Sequence, residues 1–203
     1  GSSLVATGPN ASGKSSFSRL LCGLWDTKEG SIRVCGQELR RGIRPSPHLM
    51  YTATERPYLC HGRPLCAQIC YPLDGVDISE EDLRKLLSAV GLEYLLERFN
   101  PWTELPSWQD VLSGGEQQRL CIARVLFHQP RFAVLDDCTS MVSQEAEVQL
   151  FKALLQKEIT LIGMSQRLLL PDIFKSELML GTASDKAWAV RQLHEGVVAP
   201  AAS

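Results

Sequence analysis

The sequence lacks any strong excess of charge, and this absence limits its partners. Its 203 residues carry a formal net charge of −2, whereas proteins that bind nucleic acid present a basic face to the phosphates. A short basic cluster, Arg40, Arg41 and Arg44, is flanked by glycine and proline and is more typical of a solvated loop than of a binding patch. We therefore predict no nucleic-acid partner.

Long apolar runs, internal repeats and metal-binding spacings are also missing. The sequence contains no run of about 18 apolar residues, the length that could span a bilayer. It also shows no secretory signal pattern. There are seven cysteines, and Cys66 and Cys70 have no second Cys or His pair that would complete a zinc site. We expect several cysteines to be small core residues in a reducing compartment.

Apolar β-prone segments alternate with amphipathic helical segments along the chain. The periodicity predicts strands over 3–7, 31–34, 49–54, 132–135, 159–164, 177–180 and 188–193, and helices over 15–24, 80–90, 92–99, 115–128 and 144–157. Residues 36–48 are expected to form a loop, and the last two strands to lie at a sheet edge. The pattern predicts one α/β domain with a parallel-sheet core and a helical subdomain inserted at about 65–129.

One stretch has the pattern of a phosphate-binding loop. Gly8-Pro9-Asn10-Ala11-Ser12-Gly13-Lys14-Ser15 matches G-x-x-x-x-G-K-[ST], between an expected strand and an expected helix. Such a P-loop wraps a phosphate with backbone N–H groups and points the positive end of a helix at it. Lys14 is expected to bridge the β- and γ-phosphates, Ser15 to bind Mg²⁺, and Ser16 to belong to the same site.

A second glycine-bearing turn precedes the helix predicted over 115–128. Residues 112–119 are Leu-Ser-Gly-Gly-Glu-Gln-Gln-Arg, so Ser113, Gly114 and Gly115 present a hydroxyl and bare N–H groups at a helix start. This arrangement suits an anion, because the helix dipole adds to the N–H groups. The alternative is an ordinary helix cap.

These two motifs are followed by the apolar strand that ends in Asp136-Asp137. In this order they make the chain resemble the nucleotide-binding domain of an ATP-binding-cassette (ABC) transporter, a P-loop NTPase. The resemblance implies that ATP and Mg²⁺ bind, with Asp136 holding Mg²⁺ through water. It also implies a second nucleotide-binding domain, because the family's signature turn, here Ser113 to Gly115, closes head to tail on the γ-phosphate held by a partner. Residues 139–143 resemble the family's D-loop at the same interface.

The resemblance extends to subfamily D, the peroxisomal fatty-acyl half-transporters and their vitamin B12-handling relative. It is carried by residues 56–58, 69–73, 107–111, 127–136 and 138–140. Membership implies a transmembrane domain outside this chain and a homo- or heterodimer. It also implies a peroxisomal (or glycosome-like) membrane, with this domain on the cytosolic face.

Three positions depart from the family pattern. Glu55 replaces the Q-loop glutamine, Asp137 the catalytic glutamate that polarises the attacking water, and Gln166 the switch histidine. They are the candidate catalytic residues, and Glu55 is also a candidate Mg²⁺ ligand because hard cations favour carboxylates. Aspartate is one methylene shorter than glutamate, and a displacement of about 1 Å can cost on the order of 10²-fold in rate. The alternatives are that Asp137 caps the following turn and that Glu55 points into solvent.

Two further departures concern nucleotide binding. Ala11 stands where glycine is usual in the family, so a positive φ at this position would add strain of about 1 kcal/mol. The sequence starts at the P-loop strand, so the family's upstream strands and adenine-stacking aromatic residue lie outside it.

Three hypotheses about function follow. The first is an ATP-hydrolysing domain that drives transport by dimerising around ATP. The second is a degenerate nucleotide-binding module with little or no hydrolysis, acting as the inactive half of a heterodimer. The third, an ABC ATPase of DNA repair or translation, is disfavoured by the subfamily D segments and the absence of a basic face. The octet at 112–119 excludes P-loop kinases.

Overall fold

The structure is a computed structural model that describes residues 1–43, 45–105, 107–165, 172–181 and 188–193. The chain divides into two compact units. The first comprises residues 1–52, 130–137 and 159–203, and the second comprises residues 53–129 and 138–158. In chain order the elements are β1 (Leu4–Thr7), α1 (Lys14–Leu21), β2 (Ile32–Val34), β3 (Gln37–Leu39), β4 (Met50–Thr54), α2 (Leu65–Cys70), α3 (Glu80–Ala89), α4 (Leu95–Arg98), α5 (Trp108–Val111), α6 (Gly114–His128), β5 (Phe132–Asp136), α7 (Gln144–Gln156), β6 (Thr160–Met164), β7 (Ser176–Leu180) and β8 (Trp188–Gln192).

The main sheet is mostly parallel and has the strand order β4-β5-β6-β1-β7-β8. β1 pairs in parallel with β6 and β7, and β5 pairs in parallel with β6. β8 runs antiparallel to β7. The central strands are continuous apolar runs rather than alternating ones, because both faces of a parallel sheet are covered. The predicted α/β fold with a parallel-sheet core is confirmed.

Apolar side chains from the strands and from α1 form the core of the first unit. None of its buried members is more than 8 % exposed: Ala6, Leu21, Val34, Met50, Val134 and Met164. Helix α1 ends at Leu21 and not at Leu24 as predicted, because Gly23 adopts a φ of 66° that stops the helical ladder. Leu24 is consequently 43 % exposed.

Two strand predictions were wrong in detail. The predicted loop 36–48 contains β3, which forms a hairpin with β2 through Cys35 and Gly36. Both turn residues have positive φ, 51° and 82°, as a tight two-residue hairpin turn requires. The segment predicted as an edge strand at 177–180 is the interior strand β7, paired on both sides.

The second unit is helical and is organised around α6. This helix is buried on nearly every side because other helices, α2, α3 and α7, pack around it. Trp108 is 1 % exposed, donates its indole N–H to the Arg63 carbonyl at 2.7 Å and meets the Phe99 ring edge to face. Ser79 caps α3 by accepting a hydrogen bond from the Asp82 N–H.

Several cysteines are core residues, as the sequence predicts. All seven are thiols rather than disulfides, and Cys70, Cys121 and Cys138 are buried. Burial raises the pKa of Cys70 to about 11, so this thiol stays protonated and unreactive at neutral pH. Across the described ranges, no helix is long and apolar enough to cross a membrane.

Candidate nucleotide-binding site

The P-loop leaves β1 through a glycine that no other residue could replace without strain. Gly8 has a φ of 146°, and a Cβ on it would lie 2.3 Å from the Leu180 carbonyl oxygen at the end of β7. Gly13, the residue before α1, has a φ of 106° with open space around it. The first glycine therefore allows close approach of the loop to β7, and the second allows a backbone turn into the helix.

Ala11 has the positive φ that, from the sequence, would add strain at this position. Its φ is 62°, in the left-handed region where a Cβ crowds the following carbonyl oxygen at a cost of roughly 1–2 kcal/mol. Strain of this kind persists only where the surrounding structure imposes it, and it is common at ligand-binding loops.

Lys14 folds back across the loop that precedes it. Its side chain is buried at 7 % exposure, and Nζ donates to the carbonyl oxygens of Gly8 at 2.7 Å and Pro9 at 3.0 Å. These bonds use two of the three ammonium donors and hold the charge inside the loop. The buried Ser12 Oγ has no hydrogen-bond partner among the described residues, and such a buried hydroxyl normally has one.

The start of α1 adds further donors to the loop. The backbone N–H groups of the first helical turn, Lys14, Ser15 and Ser16, have no intrahelical acceptors by the geometry of a helix, and this turn contains no acidic residue. Ser15 is exposed. The loop thus combines a buried ammonium, a helix dipole and N–H groups, which together suit an anion such as a phosphate.

Asp136 and Asp137 lie at the carboxyl end of β5. Asp136 is in register with Met164 of β6, and β6 lies between β5 and the P-loop strand β1. The carboxyl ends of these parallel strands meet at one edge of the sheet, which brings Asp136 and the P-loop to the same edge. Asp137 has a φ of 48° and donates its N–H to the Met164 carbonyl at 3.1 Å.

The residues present fit Mg²⁺ and a nucleotide. The described part of the chain has no group of three or more His, Cys, Asp or Glu residues able to hold a metal ion. Mg²⁺ in phosphate sites is nevertheless usually held by one or two protein oxygens together with phosphates and water. The Ser15 hydroxyl and the Asp136 carboxylate supply such oxygens, and the Ser12 hydroxyl is a buried polar group that lacks a hydrogen-bond partner among the described residues.

The turn before α6 is closed by a reciprocal cap within the second unit. Ser113 Oγ accepts from the Glu116 N–H at 3.4 Å, and Glu116 Oε2 accepts from the Ser113 N–H at 2.7 Å, forming a capping box. Ser113 therefore is a helix cap. Its hydroxyl proton can still be donated to a ligand, since an acceptor bond leaves the O–H free.

Glu116 is stabilised as a carboxylate. Tyr94 donates its hydroxyl to Glu116 Oε1 at 2.5 Å, and the Arg98 guanidinium lies 3.6 Å from the same oxygen. Burial works to raise the pKa of Glu116, but the hydrogen bonds from Ser113 and Tyr94 and the charge of Arg98 outweigh it and lower the pKa. The charge beside the turn is thus compensated locally.

Gln118 connects three segments of the second unit. Its fully buried amide donates to the Glu55 carbonyl and to Ser140 Oγ, each at 2.9 Å, and accepts from the Met141 N–H at 2.9 Å. The side chain of Glu55 itself is exposed. One amide therefore holds the backbone of Glu55 and the 139–143 turn against the helix that follows Ser113.

Comparison with known proteins places these features in one family. Residues 1–140, more than half of the chain, match the family model described as "ABC transporter". The chain belongs to the ABC transporter family. The part of that family present here is the nucleotide-binding domain.

Several relatives of this chain are named as members of ABC subfamily D. The percentages below compare this chain with two of them. It is 39 % identical to "ATP-binding cassette sub-family D member 1" of Drosophila melanogaster, over 81 % of this chain and 22 % of the relative. It is 36 % identical to "ABC transporter D family member 1" of Arabidopsis thaliana, over 96 % of this chain and 16 % of the relative. The chain thus spans less than a quarter of the length of either relative.

A solved structure has the same fold. A bacterial Atm1-family ABC exporter with ATP bound superimposes with a TM-score of 0.74 at 24 % identity, over 88 % of this chain and 32 % of that one. This similarity establishes the fold of the ABC nucleotide-binding domain for this chain.

The structure brings together only part of the predicted ABC site. The P-loop residues and the Asp136-Asp137 pair share one unit, whereas Glu55, Ser113, Gly114 and Gly115 belong to the other. Gln166 lies outside the described residues. The roles of all these residues in binding and hydrolysis stay predictions.

Sequence reasoning missed three residues that shape the signature turn of this ABC chain: Tyr94, Arg98 and Gln118. The S-x-x-E spacing of Ser113 and Glu116 could have indicated the capping box. Tyr94 and Arg98 gave no signal, because they reach Glu116 from α4 and from the residue that precedes it.

Proposed function

We propose that this chain is the ATP-binding domain of an ABC transporter and that it binds Mg·ATP in the P-loop. The observation that carries the proposal is the buried Lys14 ammonium bonded across the loop to Gly8 and Pro9. Burying a cation is costly unless it is paired, and carbonyl dipoles compensate only part of its charge. A phosphate held by the same loop supplies the missing negative charge.

The remaining P-loop residues complete this role. The backbone N–H groups of residues 10–16 would surround the phosphates, and Ser15 and Asp136 would hold Mg²⁺. When bound, Mg²⁺ neutralises phosphate charge. Asp137 orients the attacking water. Glu55 and Gln166 act in hydrolysis from the positions where the family has glutamine and histidine.

ATP turnover in the isolated domain is proposed to be slow. Asp137 has a shorter side chain than the glutamate of the family, and its left-handed backbone with the N–H bonded to Met164 suits a residue that ends β5. The shorter side chain favours the second candidate function, a degenerate module that serves as the inactive half of a heterodimer. In such a dimer its own signature turn still completes the partner's site.

The wider assembly is proposed from the family. Ser113, Gly114 and Gly115 close on ATP bound by a second nucleotide-binding domain, and a transmembrane domain outside this chain carries the substrate. The subfamily D relatives support a peroxisomal fatty-acyl type of transporter, with this domain on the cytosolic face. The low net charge supports the absence of a nucleic-acid partner.

A binding titration tests the central proposal. Mg·ATP is titrated into the protein by calorimetry, beside Lys14→Ala and a matched control, Lys28→Ala, whose side chain is exposed in the same unit. Lys14→Ala should lose detectable binding while Lys28→Ala keeps it, with circular dichroism verifying that each variant folds. Equal affinity of Lys14→Ala and the parent would show that the P-loop is not the site.

A further inference from the structure

A buried carboxylate supports the P-loop from the neighbouring strand. Glu177 of β7 is 3 % exposed and lies in register with Val5 of β1 on one side and Arg191 of β8 on the other. Its Oε1 accepts the Thr7 hydroxyl at 2.5 Å, and its Oε2 pairs with the Arg191 guanidinium. The two oxygens therefore join strands that flank β7 on opposite sides.

Thr7 connects this carboxylate to the P-loop, because Gly8 is the next residue. The same end of β7 also forms a wall against the loop. The Leu180 carbonyl occupies the space where Gly8 would carry a Cβ, and a Cβ on Gly181 would lie 3.2 Å from the Ser12 Cβ. The position of the loop thus depends on β7 at both Gly8 and Ser12.

The negative charge of Glu177 is unfavourable for phosphate binding, and Arg191 compensates it. A buried anion close to a phosphate-binding loop repels the phosphate, and burial leaves that repulsion poorly screened. Arg191 compensates the charge, although 42 % of its own side chain is exposed. Glu177 can thereby bind Thr7 without presenting an uncompensated negative charge to the ligand.

We propose that Glu177 and Arg191 form a charge-balanced clamp that positions the start of the P-loop for nucleotide binding. Both are positioning residues, since they act through Thr7 and through the local field rather than by touching the nucleotide. The inference rests on the proposed binding of Mg·ATP in this loop.

The clamp predicts unequal effects of two neutralising substitutions on ATP affinity. Arg191→Gln leaves Glu177 buried without its partner, and ATP should bind roughly tenfold more weakly. Glu177→Gln keeps an oxygen that accepts the Thr7 hydroxyl but removes the charge, so ATP should bind as tightly as to the parent or more tightly. The double variant should return to near the parental affinity. Both single variants should unfold at lower denaturant concentration, because each breaks the ion pair.

The experiment measures ATP affinity and denaturant midpoint for the parent, the two single variants and the double variant. Arg40→Gln and Glu38→Gln serve as matched controls, since these residues form an exposed ion pair in the same unit; both should keep parental affinity. A purely structural role for Glu177 and Arg191 predicts that affinity falls, or stays constant, in both single variants alike.

Each outcome decides a separate question. Equal effects of Arg191→Gln and Glu177→Gln on affinity overturn the clamp. If Arg191→Gln does not fold, weaker binding by Glu177→Gln alone overturns it. If the parent itself does not bind ATP, the proposed function fails instead, and the two failures are therefore distinguishable.

Discussion

A methyl group on Gly115 would lie 3.0 Å from the backbone carbonyl oxygen of Met141. The turn at 139–143 therefore rests directly on the start of α6, and the second signature glycine is needed for this packing within the chain. A Cβ on Gly114 would instead meet the Met141 Sδ at 2.1 Å. That sulfur belongs to a residue that is 59 % exposed, so it can move away.

Alanine substitutions at these two glycines should separate backbone from side-chain contact. Both changes favour helix formation by up to about 1 kcal/mol, but only Gly115→Ala presses on a backbone atom. We expect Gly115→Ala to be less stable than Gly114→Ala by about 1–2 kcal/mol, measured by urea unfolding. Adding Met141→Ala should change the free energy of unfolding of the Gly114→Ala variant. It should not restore the stability of the Gly115→Ala variant. Equal stabilities of the two glycine variants would contradict the close backbone contact.

The capping box should make stability depend on pH. Because the pKa of Glu116 is lowered in the folded state, its contribution is present above the ordinary carboxyl pKa, near 4.3, and is lost as the pH falls through the lowered value. Glu116→Gln should cost about 0.5–2 kcal/mol at pH 7 and should flatten the acid side of the stability curve. Urea midpoints from pH 7 to pH 3 check this, with the exposed Glu104→Gln as control. Parallel pH curves for parent and variant would contradict it.

Relief of strain at Ala11 should offset the usual cost of glycine. Glycine adopts a positive φ freely, although it also adds unfolded-state entropy. Ala11→Gly should therefore be as stable as the parent or up to about 1 kcal/mol more stable. Ala153→Gly, within helix α7, should lose about 1 kcal/mol. Thermal or urea unfolding of both variants tests this prediction. An equal loss of stability in the two variants would show that Ala11 is not strained.

Glu55 should make nucleotide binding depend steeply on Mg²⁺ if its side chain faces the nucleotide. A carboxylate repels a bare γ-phosphate, by about 4 kcal/mol for unit charges at 4 Å and an effective dielectric of 20, and attracts Mg²⁺. Glu55→Gln should raise ATP affinity without Mg²⁺ and flatten the Mg²⁺ dependence. Superimposed titrations of parent and variant would place Glu55 outside the site.

Restoring the family's residues should raise the rate of hydrolysis. Asp137→Glu lengthens the side chain toward the attacking water, and Gln166→His restores an imidazole donor to the γ-phosphate. The double variant should turn over ATP faster than the parent in a phosphate-release assay, most clearly beside a transmembrane partner. If no single or double change raises the rate, the cause of slow turnover lies outside these two positions. Turnover by the parent at the rate of an ordinary transport ATPase would contradict slow hydrolysis itself.

Local motifs were predictable from the sequence because their geometry depends on a few consecutive residues. The P-loop at 8–15 and the signature turn at 112–119 each combine glycines, a hydroxyl and a helix start within eight positions. The pattern of such a segment can be recognised without its distant partners, although the position of the loop at 8–15 also depends on β7.

The amino-acid sequence by itself determined the family, the phosphate-binding loop and the α/β pattern. The first two depend on motifs of consecutive residues, and the third depends on short hydrophobic periodicities. Only the tertiary structure decided that β6 separates Asp136 from the P-loop strand, that Glu177 holds Thr7, and that Gln118 joins Glu55 to the 139–143 turn. Glu177 and Thr7 are 170 positions apart and Gln118 and Glu55 are 63 apart. Contacts of this kind depend on the order in which strands and helices pack, and no local periodicity encodes that order.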